Sequence, residues 1–206
     1  MAKGSSSSRW QRRQESDPYV KKARSEGWRS RAVFKLEELQ QKDRLLRPGN
    51  IVVDLGAAPG GWSQYAGQQV GRKGRVYALD LLEMDPIPGV EFLQGDFTAS
   101  AVLQQLMKLL DGELADLVMS DMAPNISGNR SVDQPRSMYL VELALDFAFK
   151  VLKADGHFVA KVFQGDGFDE LVRAVRPRFN RLKLRKPAAS RRDSRETYLV
   201  ATGYRL

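Results

Sequence analysis

The sequence predicts an α/β fold with a mostly parallel, seven-stranded sheet, helices on both faces and an antiparallel pair of strands at one edge. Short aliphatic runs alternate with segments of helical periodicity, which is typical of parallel sheets. Within Ile51 to Trp62, a buried run ends in an acid and then a glycine-rich turn, as at the ligand-binding edge of doubly wound sheets. No helix separates the last two strands, which favours their antiparallel pairing.

The first elements lead up to this turn. Residues 1–20 lack apolar periodicity, so we expect a disordered basic tail there, followed by a single domain over 21–206. Ser30 is a candidate N-cap for a helix through about Asp43, because apolar residues recur in that segment at helical spacing. The next predicted elements are a strand from Ile51 to Leu55, a helix from Trp62 to about Val70 and a strand from Arg75 to Leu79.

The same alternation continues through the rest of the chain. The polar segment Asn125 to Gln134 interrupts it and is predicted to be a mobile loop or a substrate contact. Helices are predicted over Ala99 to Leu110, Ser137 to Leu152 and Phe168 to Val175. Strands are predicted over Val90 to Leu93, Leu114 to Met119, Gly156 to Phe163, Arg181 to Arg185 and Thr197 to Tyr204.

The composition excludes several chemistries. The chain has no cysteine, which rules out disulfides and thiolate metal sites, and His157 is its single histidine. Ser-His catalysis is therefore disfavoured, and no metal site is expected. We find neither a signal peptide nor a run of about 18 apolar residues. These features predict a cytoplasmic protein that does not associate with membranes.

The formal net charge of +8 is unevenly distributed along the chain. Lys and Arg outnumber Asp and Glu in residues 1–47 and 173–206, whereas acids outnumber bases in residues 48–172. A basic tail and solvated helix faces would give such a pattern without any partner. Two basic segments around an acidic middle are also typical of proteins that bind phosphate backbones. Nucleic acid is therefore the leading predicted partner.

The glycine turn differs from the G-x-G-x-x-G pattern of dinucleotide-binding proteins, since it reads GAAPGG from Gly56. Pro59 lacks the amide hydrogen that a pyrophosphate group would need at this place. Asp80 ends the next strand, where an acid can bind ribose hydroxyls, although an acid there is also a common cap. The turn and Asp80 together favour a ligand that contains a nucleoside but no pyrophosphate.

Four motifs extend this interpretation. DLGAAPGGW begins at Asp54, SDMAPN at Ser120, VAKVFQG at Val159 and SRETYLV at Ser194. Together they resemble the FtsJ/RrmJ family of ribosomal RNA 2′-O-methyltransferases, over nearly the whole chain from about Tyr19. The resemblance implies a Rossmann-like fold that uses S-adenosylmethionine, releases S-adenosylhomocysteine and needs no metal. It also implies a catalytic tetrad, which falls here on Lys35, Asp121, Lys161 and Glu196.

The resemblance also assigns contacts to the methyl donor. Gly60 and Trp62 are expected to contact its methionine part, Asp80 its ribose hydroxyls and Asp96 its adenine amino group, with Asp121 at the reacting end. Two of these residues have ordinary alternatives. Trp62 is equally suited to the core at the start of a helix, and Asp96 to capping the helix that follows it.

The tetrad suits this chemistry on physical grounds. Lys161 interrupts an apolar strand, where a lysine is unexpected unless its ammonium is paired or reaches water at the strand end. Parallel strands align their carboxyl ends, so Asp121, Lys161 and the glycine turn can converge on one crevice. A ribose 2′-hydroxyl needs a base or a cation to react at neutral pH. Burial and Lys35 favour the neutral amine of Lys161, whereas the two carboxylates favour its ammonium, so both roles stay open.

The resemblance further implies a target, which is a uridine in the A loop of large-subunit (23S) ribosomal RNA within the 50S particle. The basic residues of 1–47 and of the 181–195 loop are the predicted RNA contacts. We expect a monomer with no obligate protein partner. One alternative is an RNA-binding ribosome assembly factor that uses the fold without turnover. Another is a nicotinamide-dependent oxidoreductase, which the missing G-x-G-x-x-G already disfavours.

Overall fold

The computed structural model describes residues 16–125, 127–191 and 194–206, and it places seven strands and six α-helices within them. The strands are β1 (Ile51–Leu55), β2 (Arg75–Asp80), β3 (Val90–Gln94), β4 (Ala115–Ser120), β5 (Leu152–Phe163), β6 (Phe179–Arg185) and β7 (Glu196–Tyr204). The helices are α1 (Pro18–Ser25), α2 (Val33–Asp43), α3 (Gly61–Val70), α4 (Ser100–Leu110), α5 (Arg130–Val151) and α6 (Phe168–Val175).

All seven strands form one sheet in the order β3-β2-β1-β4-β5-β7-β6. The first five strands run parallel, and β7 is antiparallel to both of its neighbours. The predicted fold class is therefore confirmed, including the antiparallel edge. The strand order reverses between β1 and β4, and the crevice outside their carboxyl ends is where open α/β sheets bind ligands.

Apolar side chains alternate between the two faces of the sheet, because successive residues of a strand point to opposite sides. One face carries Val53, Val118 and Phe158 and packs against α4, α5 and α6. The other carries Val52, Leu117 and Val159 and packs against α2 and α3. These two clusters bury both faces, as the predicted three-layer arrangement requires.

The entrance to α2 differs from the predicted one. The helix begins at Val33. Its N-cap residue, Ala32, already has helical backbone angles, and no side chain caps the helix with a hydrogen bond. The amides of Val33, Phe34 and Lys35 instead donate to carbonyl groups three residues earlier. The prediction that Ser30 caps this helix is therefore wrong, because a backbone turn satisfies the first amides in its place.

The long helix α5 begins seven residues before the predicted start. Asn129 is its N-cap, and its side chain accepts a hydrogen bond from the amide of Ser131. The Asp133 carboxylate also accepts hydrogen bonds from the amides of Ser127 and Gly128, which ties the preceding turn to the helix. The segment from 130 to 134 is thus helical, although its polar composition predicted a loop.

The first helix overlaps the end of the predicted tail. Helix α1 begins at Pro18, where Asp17 caps it by accepting the Tyr19 amide at 2.9 Å. The Tyr19 ring packs 5.7 Å from that of Phe34. Residues 18–20 of the predicted tail are therefore helical, and residues 1–15 lie outside the described part of the chain. Within the described part, no helix is long and apolar enough to cross a membrane.

Candidate active site

The glycine turn after β1 lies against the chain that follows β4. The amides of Gly56 and Ala57 both donate to the carbonyl of Leu79, which ties the turn to the end of β2. Gly56 has a φ of 79°, and a Cβ atom there would lie 2.6 Å from Cγ of Met122. Only glycine combines this backbone conformation with such a close approach. The turn thus forms a thin wall at the carboxyl edge of the sheet.

A cavity of about 620 Å³ opens beside this turn. Its wall includes three carboxylates, from Asp80, Asp96 and Asp121, which lie at or just after the carboxyl ends of three different parallel strands. Apolar side chains complete it, among them the exposed Leu81, Leu82 and Tyr139. Apolar walls with a few placed polar groups are typical of small-molecule sites of this size. The lining suits a ligand that has hydroxyl or amino groups and a flat ring.

Asp80 fixes the backbone on both sides of the cavity. One carboxylate oxygen accepts the amide of Ala58 at 2.9 Å, and the other accepts the amide of Leu82 at 2.8 Å. Each carboxylate oxygen can accept a further hydrogen bond. Asp80 can therefore hold the turn and still accept hydroxyl groups from a ligand.

Asp96 lies in the turn between β3 and α4 and lines the cavity, but it does not cap α4, whose N-cap is Ala99. One oxygen of its carboxylate accepts hydrogen bonds from the amide and the hydroxyl of Thr98, at 2.9 and 2.7 Å. These hydrogen bonds hold the pKa of Asp96 below its usual value. The residue therefore stabilises the turn before α4 and also lines the cavity as an ionised acceptor.

Gly60 and Trp62 are not among the residues that line this cavity. The Trp62 side chain is buried, its Nε1 donates to the carbonyl of Ala32 at 2.8 Å, and its ring lies 5.7 Å from that of Tyr198. Trp62 is therefore a core side chain at the start of α3, which is the alternative that the sequence left open. A Cβ atom on Gly60 would meet Ile87, so this glycine lets the loop after β2 approach the turn.

The predicted catalytic residues come together in two ion pairs. In the first, Nζ of Lys161 on β5 lies 3.2 Å from Oδ1 of Asp121 and donates to the main-chain carbonyl of the same residue at 2.6 Å. Asp121 follows β4 directly, and its amide donates to the carbonyl of Leu55. Asp121 thus touches Lys161 and also lines the cavity.

The second pair joins the helix α2 to the strand β7. Nζ of Lys35 lies 2.7 Å from Oε1 of Glu196, and both side chains are largely buried. Lys35 reaches the sheet from the first turn of its helix, whereas Glu196 is the first residue of β7. The four residues therefore come from four separate elements and meet at one edge of the sheet.

Tyr198 connects the two pairs, and the sequence interpretation missed it. Its hydroxyl accepts a hydrogen bond from Lys35 at 3.1 Å and donates to Oδ1 of Asp121 at 2.6 Å. Tyr198 lies directly opposite Lys161 in the β5–β7 pairing. It also follows Glu196 by two residues, so the two-residue period of a strand would have placed both on the same face.

The charges and hydrogen bonds within this network determine the protonation states of Asp121 and Tyr198. Burial alone would raise the pKa of Asp121, but the charges of Lys161 and Lys35 and the hydrogen bonds from Tyr198 and Lys161 hold it below its usual value. Burial and the charges of Asp121 and Glu196 raise the pKa of Tyr198 well above 10.0. Asp121 is thus an ionised acceptor, and Tyr198 is a neutral hydroxyl that donates to it.

Asp54 is a fully buried carboxylic acid behind the glycine turn. One of its oxygens accepts a hydrogen bond from the Ser63 hydroxyl at 2.6 Å, and the other has no hydrogen-bond partner among the described residues. Burial, reinforced by the charges of Asp121 and Asp80, raises its pKa to about 7, although the bond from Ser63 acts in the opposite direction.

This shift predicts a pH-dependent stability. The native state binds the Asp54 proton more tightly than the unfolded chain, so stabilisation is complete below pH 3.8 and is lost as the pH rises to about 7. Asp54→Asn removes this titration. We therefore expect the free energy of unfolding of the wild type, relative to this variant, to fall by about 2–3 kcal/mol between pH 5 and pH 8.

Urea denaturation at several pH values measures this difference. Asp111→Asn, at an exposed acid in the turn after α4, is the matched control and should leave the pH dependence unchanged. A difference between wild type and Asp54→Asn that stays constant from pH 5 to pH 8 would contradict the assigned shift.

His157 lies away from this site, on β5 and toward the amino ends of the parallel strands. Its Nδ1 accepts the amide of Gly203 at 3.4 Å, and burial lowers its pKa. Within the described residues, no group of three or more His, Asp or Glu side chains is placed to hold a metal ion.

Comparisons with known proteins agree with this geometry. The model of the FtsJ-like methyltransferase family matches residues 28–204. A curated relative from Marinobacter nauticus, named ribosomal RNA large subunit methyltransferase E, is 59% identical over 206 residues, which is 100% of each chain. A crystal structure from Plasmodium falciparum, described as a ribosomal RNA methyltransferase, is 29% identical with a TM-score of 0.77, covering 86% of this chain and 98% of that one.

A more distant structure shares the fold. It comes from Clostridium thermocellum, is described as an rRNA methylase and is 18% identical with a TM-score of 0.55. The match covers 82% of this chain and 96% of the other.

Proposed function

Because this chain belongs to the FtsJ-like methyltransferase family, we propose that it transfers a methyl group from S-adenosylmethionine to a ribose 2′-hydroxyl of large-subunit ribosomal RNA. The observation that carries the proposal is the position of Asp121, which lines the ligand cavity and also pairs with Lys161. One end of a methyl donor bound in the cavity would thus lie beside Asp121, the residue that holds Lys161. This is the arrangement that direct transfer between two bound substrates requires.

The lining of the donor cavity fits the chemical groups of S-adenosylmethionine. Asp80 keeps acceptor capacity for ribose hydroxyls, and Asp96 keeps it for an adenine amino group. The exposed Leu81, Leu82 and Tyr139 offer apolar surface to a flat ring. When bound, the donor supplies an electrophilic methyl group on a sulfonium. Gly60 and Trp62 are not part of this proposal, because neither residue lines the cavity.

We assign the acceptor chemistry to Lys161, held by Asp121. As an amine it would take the proton of the 2′-hydroxyl, and as an ammonium it would stabilise the charge that develops on the oxygen. Asp121 orients the lysine through both its carboxylate and its main-chain carbonyl. Tyr198 in turn fixes the Asp121 carboxylate, and the pair of Lys35 and Glu196 supports that tyrosine.

The proposed partner is RNA within the large ribosomal subunit in the cytoplasm. The name of the Marinobacter nauticus relative specifies ribosomal RNA of the large subunit, and the basic segments at both ends of the chain suit a phosphate backbone. The finer parts of the proposal are a uridine of the A loop as target, the 50S particle as substrate and a monomeric enzyme.

A label-transfer assay tests the function. Large-subunit particles are prepared from cells that lack the enzyme and are incubated with S-adenosylmethionine that carries a labelled methyl group. We expect label in the large-subunit RNA, at a single nucleotide whose 3′ linkage resists alkaline cleavage, because a 2′-O-methyl group blocks that reaction. Labelling of a base, or of protein, would contradict the proposed acceptor.

The same assay separates the alternatives. An RNA-binding assembly factor would bind the particles and transfer no label to any RNA. A nicotinamide-dependent oxidoreductase would bind NADH tightly and S-adenosylmethionine weakly, which titration calorimetry with each ligand would detect.

A further inference from the structure

A second cavity, of about 360 Å³, opens beside Phe163, the last residue of β5, two residues beyond Lys161. Its wall includes the N-terminal turn of α5, the end of β5 and the residues just before β7. The side chains that matter here are those of Arg130, Gln134, Phe163 and Arg195. None of them has a role in the donor site or in the Lys161 network. The cavity therefore needs an explanation of its own.

Phe163 is an aromatic side chain in an unusual position. It is the last residue of β5 and lies directly opposite Glu196 in the β5–β7 pairing. It follows Lys161 by two residues, which puts both side chains on one face of the sheet with Cα atoms about 6.6 Å apart. Phe163 is only partly buried, and neither apolar cluster of the described residues includes it. Its ring is thus available to stack on a ligand that binds beside Lys161.

The walls of this cavity are held in place by hydrogen bonds. Nε2 of the buried Gln134 donates to the carbonyl of Phe163 at 3.0 Å and to that of Asp166 at 3.2 Å. Gly165 packs closely on the same glutamine, since a Cβ atom there would lie 2.9 Å from its Cδ. Asp133, which precedes this glutamine in α5, holds the turn before the helix. The cavity is therefore preformed, which lowers the entropic cost of binding.

The charges around the cavity favour a phosphate. Arg130 and Arg195 are both exposed at its edge. The third ionised side chain, Asp133, already accepts hydrogen bonds from Ser127 and Gly128. Guanidinium groups bind phosphate oxygens in a two-pronged geometry, and they also stack on bases. An aromatic ring combined with basic side chains is a common way to hold an unstacked nucleotide of single-stranded RNA.

We propose that this cavity holds the nucleotide that is methylated, with its base stacked on Phe163 and its flanking phosphates bound by Arg130 and Arg195. This inference rests on the proposed function, because the ribose 2′-oxygen is placed at Lys161. The base is attached to the ribose carbon next to the one that carries this oxygen, so it lies within reach of a ring two residues farther along β5. The substrate is then an unpaired, unstacked nucleotide, and a base-paired one is excluded.

Three variants of Phe163 test the stacking. Phe163→Leu keeps an apolar side chain without a ring, whereas Phe163→Tyr and Phe163→Trp keep a ring. We measure equilibrium binding to a fluorescent uridine hexanucleotide and the KM for unmethylated large-subunit particles. Phe163→Leu should lower the affinity for the hexanucleotide and raise the KM for the particles, each by about tenfold or more. This is within the range known for loss of a base-stacking aromatic residue. The two aromatic variants should stay within about threefold of the wild type.

Controls distinguish stacking from damage to the fold. The affinity for S-adenosylmethionine and the Tm of Phe163→Leu should match those of the wild type. Phe92→Leu, at a partly buried phenylalanine on the distant strand β3, should leave hexanucleotide binding unchanged. Arg195→Ala should weaken hexanucleotide binding, and a base-paired RNA of the same length should bind all proteins weakly.

Two results would overturn the proposal. Either Phe163→Leu binds the hexanucleotide as tightly as the wild type, or Phe163→Trp loses as much affinity as Phe163→Leu. The binding measurements do not depend on turnover. If the wild type transferred no methyl group, the proposed function would fail, while the hexanucleotide affinities would still decide whether Phe163 stacks on a base.

Discussion

Lys161→Ala is expected to slow methyl transfer by about 10²–10⁴-fold, the usual contribution of a positioned acid or base. Lys161 is the side chain that Asp121 holds through two contacts beside the donor cavity, so its loss removes the group that activates the acceptor oxygen. S-adenosylmethionine affinity should change little, because Lys161 does not line that cavity. Single-turnover transfer to unmethylated particles at saturating donor measures the rate, and calorimetry measures donor binding.

Lys153→Ala is the matched control for this variant. Lys153 lies on the same strand and also forms an ion pair, but its partner is Asp116 at the opposite end of the sheet. We expect wild-type transfer rates from it. A Lys161→Ala protein that keeps more than a tenth of the wild-type rate would remove this lysine from the chemical step. Lys161→Arg refines the result, since arginine stays protonated and can only stabilise charge.

Asp80→Ala is expected to weaken the binding of S-adenosylmethionine by about 10–100-fold, the range for losing hydrogen bonds to a charged acceptor. The variant removes a carboxylate from the cavity wall and also frees the amides of Ala58 and Leu82. Asp80→Asn should have a smaller effect, because its amide oxygen can replace one of the two acceptors. Affinity for the RNA should stay near that of the wild type.

Calorimetry with S-adenosylmethionine and hexanucleotide titration give the two affinities separately. The control is Asp85→Ala, an exposed acid in the loop after β2 that does not line the donor cavity. It should leave both affinities unchanged. Equal losses of donor and RNA affinity in Asp80→Ala would contradict the assignment of this residue to the donor side.

The half of the site on the parallel strands could be predicted from the sequence. An acid at the end of one buried strand and a lysine in the next must approach each other when the strands are parallel neighbours. This holds for Asp121 and Lys161. Lys35 and Glu196 were identified only through the family resemblance, since their meeting depends on how α2 crosses the sheet. The spacing of residues along the chain does not predict how the helix crosses the sheet.

Two aromatic residues show the limits of pattern reading. For Trp62 the sequence leaves a donor contact and a core position open, and the structure shows a buried indole whose Nε1 donates to the carbonyl of Ala32. Sequence reasoning assigns no role to Tyr198, because its contacts depend on the pairing register of β5 and β7. In both cases the side chain's surroundings come from contacts distant in sequence, which propensity and periodicity do not describe.

The pairing of Lys35 with Glu196 and of Lys161 with Asp121 makes the reactive edge electrically balanced. Such a centre neither attracts a polyanion nor repels a cationic donor, so in the proposed function the attraction for RNA would come from basic residues outside it. Mobile ions screen exposed charges strongly and buried pairs weakly. Ionic strength should thus govern how often the substrate docks, while leaving the rate of reaction within the docked complex nearly constant.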